Sequence, residues 1–530
     1  MTTTQRWTLV ATIIGSGAVF LDGTVVNVAL KRIGEELPTT YFGVLEGQTY
    51  VVSGYLAVLA ALLILAGALS DFYGRRRVYA IGLASFAVTS ALCGLAPTME
   101  WLVLFRLLQG AAGALLVPGS LALITGCFEG AAERGRAFGI WAAATSALTL
   151  IGPLVGGLTV DTIGWRFAFL INVPVLAFAL WVTLRHVRES RDLRSKARFD
   201  WLGSLVAALA VGGLSAGLIR SQQQEWQDPF GWVLIAVGVA CLIAFPILMA
   251  TRKDPLVPLG LFRIRAFATI NLATFFVYGA LYVLLTYQAL VFQGVLGYTA
   301  FAAGAVGLPI SILLSTLSTR IGTVAGRRGS RPFLVAGPLL VATGFLWYGR
   351  LPADSAPWRM SIDQPPTWVP PLDVLVDILP AAILVGFGMA CVVAPLTNTL
   401  MGSVPGQFSG LGSAINNAIS RVGQPLLGAL IFIAISATFY ATLGSLSPDL
   451  DTTSAEVRQA FPPLNPPAAD ATDSQVAAAN EASIGAFHLA MLVGAGLLIV
   501  GAAVSWVGLR EEPAETTSPA RAPTAEATDP

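Results

Sequence analysis

Long apolar runs, separated by short polar or glycine-rich turns, recur from one end of the chain to the other. A helix needs about 20 mostly apolar residues to cross the hydrocarbon core of a bilayer. Runs of this kind fall near 7–30, 49–69, 78–96, 101–125, 137–159 and 167–184. Two more lie at 201–219 and 230–250, and a last group at 269–291, 301–319, 333–348, 378–400, 411–434 and 487–509. The pattern predicts an all-α integral membrane protein with about fourteen transmembrane helices, the eleventh of them short. An even number of crossings places both termini on the same side. No small-residue cleavage site follows the first run, which therefore reads as a retained helix and not as a signal peptide.

Basic residues decide which side that is. With the N-terminus in the cytoplasm, the loops holding Arg75, Arg76 and Arg77, then 185–198, 252–265 and 320–331, all fall inside. Basic residues are then about three times as frequent inside as outside, consistent with the positive-inside rule. The expected location is a cell (cytoplasmic) membrane, multi-pass, with both termini cytoplasmic. The polar breaks divide the chain into a six-helix bundle (1–188), a basic loop with two extra helices (189–261), a second six-helix bundle (262–510) and a disordered cytoplasmic tail (511–530). The outer loops 349–377 and 436–483 are rich in Pro, Ser, Thr and Asp and read as solvated, weakly ordered connections. A weak repeat links the halves: a Gly/Arg turn at 67–77 after the second helix and another at 320–331 after the tenth. Two similar halves imply a substrate site at their interface near the midplane, with rocking-type alternating access.

Composition narrows the reading further. The 530 residues are 55% hydrophobic and 12% charged, where a soluble chain has roughly twice that charged share. The 54 glycines suit close helix packing in lipid. A net charge of +1 points to no nucleic-acid partner, and the four cysteines show neither paired nor metal-like spacing. With no metal cluster, nucleophile–base pair or phosphate loop in the sequence, an enzyme is not expected, and no cofactor is implied. A sensor is disfavoured because no signalling domain is attached.

Three charges fall inside the apolar runs. Asp22 lies about 24 Å along the first helix, at 1.5 Å per residue. Every other acid falls in a loop, a tail or a helix end. A carboxylate at such depth must be paired, solvated or protonated, and intramembrane acids default to function. Arg106 lies at a similar depth in the fourth helix, about 8 Å below its outer end against about 12 Å for Asp22, so the two can meet directly or through water. Arg421, near the middle of the thirteenth helix, could balance charge in a cavity or snorkel along a helix interface. The ninth helix offers Tyr278 and Tyr282 on one face, with Gln288 further along. These aromatics suit either a lipophilic cation or packing.

In order along the chain, several motifs resemble the major facilitator superfamily and, within it, the fourteen-helix drug/proton antiporter branch. The first is Leu21-Asp-Gly-Thr-Val-Val-Asn27, in the first helix. The loop signature follows with Gly67, Asp71, Gly74, Arg75 and Arg76, and the fourth helix has Arg106-Leu-Leu-Gln109-Gly. Gly152-Pro153-Leu-Val-Gly156-Gly157 resembles the antiporter signature, and Gly410-Leu-Gly-Ser-Ala-Ile-Asn-Asn417 the thirteenth helix. Tyr50 stands where the family usually has Trp, and the loop after the tenth helix lacks the acid of its counterpart. The resemblance implies a proton-coupled antiporter that exports lipophilic or cationic small molecules, energised by the proton gradient. It also assigns Arg106 to proton coupling, beside Asp22; the expected substrate contacts are Asn27, Gln109, Tyr278, Tyr282, Gln288 and Arg421. Gating falls to Asp71, Gly74, Arg75, Arg76, Gly152, Pro153, Gly156 and Gly157. Expected partners are a small-molecule substrate, protons and the lipid bilayer, with the chain acting as a monomer. A lipid, a secreted metabolite or a siderophore-like compound is the alternative cargo on the same fold.

Overall fold

The structure is a computed structural model that describes residues 1–128, 130–190, 200–253, 255–404 and 409–509. The tail expected to be disordered and part of the basic loop after the sixth helix lie outside the described residues. The long helices follow the apolar runs. They are α1 (Thr3–Glu36), α2 (Val44–Tyr73), α3 (Arg75–Gly94), α4 (Met99–Cys127), α5 (Ala131–Thr162), α6 (Arg166–His186) and α7 (Trp201–Gln223). After them come α8 (Pro229–Thr251), α9 (Arg265–Gly294), α10 (Ala300–Arg328), α11 (Arg331–Tyr348), α12 (Val374–Ser403), α13 (Ser409–Leu446) and α14 (Asp473–Gly508). Among the described residues, 13 helices are long and apolar enough to span a bilayer, and α11, with 18 residues, is the short fourteenth.

The repeat seen in the turns extends to the packing. α1 lies against α5, α2 and α3 against α4, and α3 against α6. In the second half α9 lies against α13, α10 and α11 against α12, and α11 against α14. Gly74 and Gly329 end α2 and α10 at φ 108° and 86°, a left-handed region that a Cβ disfavours. Arg76, just after the first of these glycines, donates from Nε to the Thr183 carbonyl at 3.2 Å and from Nη2 to that of Leu184, at the end of α6. Arg331, just after the second, donates to the Trp506 carbonyl near the end of α14 at 2.9 Å. In both halves an arginine therefore satisfies helix C-terminal carbonyls, where a cation also suits the dipole.

The intervening pair sits beside this frame. α7 packs on α2 and α13, one from each half, and α8 packs on α7. Glycines let α7 and α8 approach closely: a Cβ on Gly217 would stand 2.7 Å from the Ile235 nitrogen. The rest of α8 is turned outward, exposing Trp232, Val233, Leu242, Ile243 and Ile247, as a lipid-facing helix should. Tyr50, where tryptophan was the expected residue, donates its hydroxyl to the Ala216 carbonyl at 2.9 Å and so ties α2 to α7. Asp228 caps α8; the Phe230 amide, with Arg220 beside it, holds its carboxyl below the usual carboxylate range.

The outer loops differ from expectation. α13 runs on to Leu446 and α14 begins at Asp473, so the connection within 436–483 narrows to 447–472. What remains is ordered. Phe461, Leu464 and Asn465 are buried. Asn465 exchanges two hydrogen bonds with Gln48 of α2, at 2.8 and 2.9 Å. The segment 349–373 folds back as well, with Trp358 donating to the Thr367 carbonyl at 2.9 Å. The prolines shorten these segments, but scattered apolar side chains give them something to bury.

Candidate functional site

Asp22 and Arg106 meet in the first half. The Arg106 Nη1 donates to Asp22 Oδ2 at 2.5 Å, with the arginine 1% and the aspartate 0% exposed. Gln109, one turn along α4, donates from Nε2 to Asp22 Oδ1 at 3.2 Å and accepts from Arg106 Nη1 at 2.8 Å. The Arg106 Nε donates to the Val51 carbonyl of α2 at 3.0 Å, and its guanidinium lies 4.0 Å from the ring centroid of Tyr55. Ser90 of α3 accepts from Gln109 at 3.3 Å and from Asn172 of α6 at 3.1 Å. One carboxylate thus organises contacts from α1, α2, α3, α4 and α6. Pairing and full hydrogen bonding are what make a charge tolerable at this depth. Gln109 belongs to this network, where sequence reasoning expects a substrate contact.

The antiporter signature on α5 divides by helical spacing. Gly152 and Gly156, four apart, face α1: a Cβ on Gly152 would stand 2.2 Å from Thr24 Oγ1, and one on Gly156 2.8 Å from Val25. Both neighbours lie within three residues of Asp22. Pro153 and Gly157 face the other half instead. A Cβ on Gly157 would stand 2.2 Å from the Ala300 carbonyl, and the Pro153 carbonyl would be equally close to a Cβ on Gly304. Asp161, further along α5, accepts from the Ala300 and Phe301 amides at 3.1 and 2.7 Å and so caps the start of α10. Asn27 accepts from Thr286 of α9 at 3.3 Å. With the Gln48–Asn465 pair, these contacts close the halves at the end opposite the basic loops.

At the basic end the halves part around a cavity of about 1130 Å³. Its walls are mostly apolar, with Leu63, Pro118 and Trp141 from the first half and Met401 and Leu411 from the second, joined by the polar Asn417 and by two charged residues, Arg134 and Asp200. Asp22 is not on this wall. Tyr278 and Tyr282 form a ring pair on α9 at 6.0 Å, half-buried. Gln288 is buried nearer the closed end. Arg421 lies beyond Asn417 on α13, its Cζ 5.7 Å from the ring centroid of Phe20.

The partners described for Arg75, Arg76 and Arg77 after Gly74 include residues of the same half. Glu189 accepts from the Arg76 and Arg77 amides at 3.0 and 3.2 Å, capping α3, and Arg75 donates to the Ala122 carbonyl at 3.3 Å. Asp71 ends α2, and its side chain lies outside the described residues. Sequence reasoning misses Glu189, an acid hidden in a basic loop, and Glu46, which reads as a helix-end residue but is 0% exposed. Glu46 Oε2 accepts from the Gly43 amide at 3.0 Å in a capping box.

Gly157 offers a direct test of the closed end. Gly157→Val places a methyl-bearing Cβ into the Ala300 backbone, within an interface between halves and not within either core. The variant is expected to fold, to lengthen the distance between spin labels at the exposed positions Ile163 and Leu372, and to lose at least tenfold in transport. Unchanged distances would show that this contact does not hold the halves together.

The profile of the Major Facilitator Superfamily matches residues 12–428. The chain is 35% identical over 457 residues to the multidrug resistance protein Stp of Mycobacterium tuberculosis (strain CDC 1551 / Oshkosh), covering 85% of this chain and 80% of that protein. It is 33% identical over 432 residues to the puromycin resistance protein pur8 of Streptomyces alboniger, covering 80% of each. The tetracenomycin C resistance and export protein of Streptomyces glaucescens is 30% identical over 446 residues, 83% of this chain and 77% of that protein. Among solved structures, a bacterial homologue of the human lysosomal transporter Spinster, inward-facing and unoccupied, superposes with a TM-score of 0.60 at 16% identity. That alignment covers 96% of this chain and 97% of the other, and it speaks to the fold alone.

Proposed function

This chain belongs to the Major Facilitator Superfamily, and from that premise we propose that it is a proton-driven exporter of lipophilic small molecules. It is a membrane-spanning transporter and not an enzyme. Its relatives carry names of multidrug and antibiotic resistance, which supports cargo of that kind. The observation that carries proton coupling is the buried Asp22–Arg106–Gln109 network, a carboxylate at membrane depth tied to five helices. We place the basic end in the cytoplasm of a cell membrane by the positive-inside rule. The state described here is then open inward. The chain works as a monomer, since both halves are on one polypeptide, and it draws on the proton gradient without a cofactor.

The geometry suggests how coupling proceeds. Cargo enters the apolar cavity from the cytoplasm or the inner leaflet while Asp22 is held, charged, by Arg106. The halves rock, the outer contacts at Gly157, Asp161 and Asn465 part, and cargo leaves. A proton from outside neutralises Asp22, weakening its hold on Arg106 and through it on Val51 and Tyr55 of α2. The return closes the outer end and expels the proton inward as the ion pair reforms. Because Asp22 is off the cavity wall, cargo and proton need not compete for one atom. Each favours a different state, which is sufficient for exchange. An entering proton brings about 2.3 kcal/mol per 100 mV of membrane potential.

Everted membrane vesicles exposed to an environment-sensitive lipophilic dye test this reading. Uptake into energised vesicles is expected to stop when an ionophore collapses the pH gradient and the potential together. Uptake that persists without either gradient, or that requires ATP, would contradict it.

A further inference from the structure

Arg421 is a cation in the membrane interior. Its Nε is buried without a hydrogen-bond partner, and the side chain has no ion pair among the described residues. Phe20, at 5.7 Å, is near the limit of about 6 Å for attraction between a cation and a ring face. The same Phe20 ring packs at 6.5 Å against Trp141, which lines the cavity. Ala414 and Asn417 line it too, and with Arg421 they lie on one face of α13 at helical spacing. Arg421 is not itself on the cavity wall; it lies about one turn beyond the lining residue Asn417, beside the Phe20 ring that backs Trp141.

The charge balance there is uneven. Tyr55 is near enough to Asp22, Arg106 and Arg421 to feel the charge of each. Asp22 is committed to Arg106 at 2.5 Å. Among the described residues, the charges acting on Tyr55 are thus two guanidinium groups and one carboxylate. A desolvated charge without a counter-ion is costly, and a structural arginine would be expected to tie itself to backbone carbonyls, as Arg76 and Arg331 do. Among the described residues Arg421 has no such tie, and it lies one helical turn from the cavity-lining Asn417.

We infer that Arg421 is the point at which the cavity recognises an anionic group, so that the preferred cargo is a lipophilic anion such as an aromatic carboxylate. This rests on the export reading above and, of the lipophilic or cationic cargo that the resemblance implies, sets aside the cationic part. The planar guanidinium can hold both oxygens of a carboxylate, with the apolar body lying toward Phe20, Trp141 and Leu411. Export of a monoanion in exchange for one entering proton moves two charges per cycle, so both the pH gradient and the membrane potential drive it.

The test uses the purified full chain in detergent and three probes sharing one aromatic body: 2-naphthoxyacetate, its primary amide, and a 2-naphthyl trimethylammonium salt. Tryptophan fluorescence quenching is expected to show the carboxylate binding at least tenfold more tightly than the amide, with the ammonium weakest. Arg421→Gln is expected to bind carboxylate and amide equally, at the wild-type affinity for the amide, which also shows that it is folded. Arg421→Lys is expected to keep part of the preference. Equal binding of carboxylate and amide by wild type, tightest binding of the ammonium, or binding of none of the three would overturn the inference. So would a carboxylate preference that survives in Arg421→Gln. Should the preference appear as expected while no probe moves with a pH gradient in vesicles, the inference stands and proton coupling fails.

Discussion

Asp22→Asn is expected to stop uphill efflux, by at least a hundredfold, while leaving cargo binding within about threefold. Asn fills the same space and keeps an oxygen toward Arg106 and Gln109, but it can neither carry the charge nor exchange a proton. On the mechanism proposed here the variant still rocks between states with cargo bound, so counterflow, which needs no net proton movement, should persist. Uptake with and without a pH gradient, alongside counterflow in the same proteoliposomes, separates these outcomes. Loss of both activities in a folded protein would mean that Asp22 supports the rocking itself. Retention of both would make it a structural acid.

Arg106→Leu should have the larger effect on stability. It removes the partner of a fully buried carboxylate, the donor to Val51 and the cation over Tyr55 in one step. Removing one member of a buried ion pair typically costs about 3–5 kcal/mol, much of it the penalty of the charge left behind. The expected result is a markedly lower melting temperature in detergent and no transport. The double variant Asp22→Asn/Arg106→Leu should regain a good part of the lost stability, since no lone charge remains. Thermal unfolding of the two single variants and the double gives the coupling directly. Additive losses would show that the pair is not energetically linked.

How much of this was legible beforehand depended on the kind of signal. Apolar runs at bilayer length gave the helices, and the rise per residue put Asp22 and Arg106 at matching depths, so their pairing could be anticipated. Helix ends were less readable. Hydropathy fades after 434, where Ser436, Thr438 and Thr442 enter, yet α13 continues to Leu446. The Pro-rich stretch around Phe461–Asn465 looked solvated because its buried residues show no periodic pattern, and its pairing with Gln48 spans 417 positions in sequence. Glu46 looked like a solvated helix-end acid, and only the packing of α2 shows it buried. The cavity wall was invisible because Leu63, Pro118 and Met401 differ in no chemical respect from lipid-facing residues. Gly157 and Gly152 carried a recognisable motif, but which half each one faces follows only from the placed helices.

The measurement that bears most directly on the account is proton movement evoked by cargo. Proteoliposomes containing the wild type and a trapped pH indicator, challenged with a transported probe under no imposed gradient, should show protons moving opposite to the probe and in proportion to it. The same liposomes with Asp22→Asn should show none. Proton movement undiminished in Asp22→Asn, or probe transport by wild type with no pH change at all, would contradict the claim that the buried carboxylate couples the two flows.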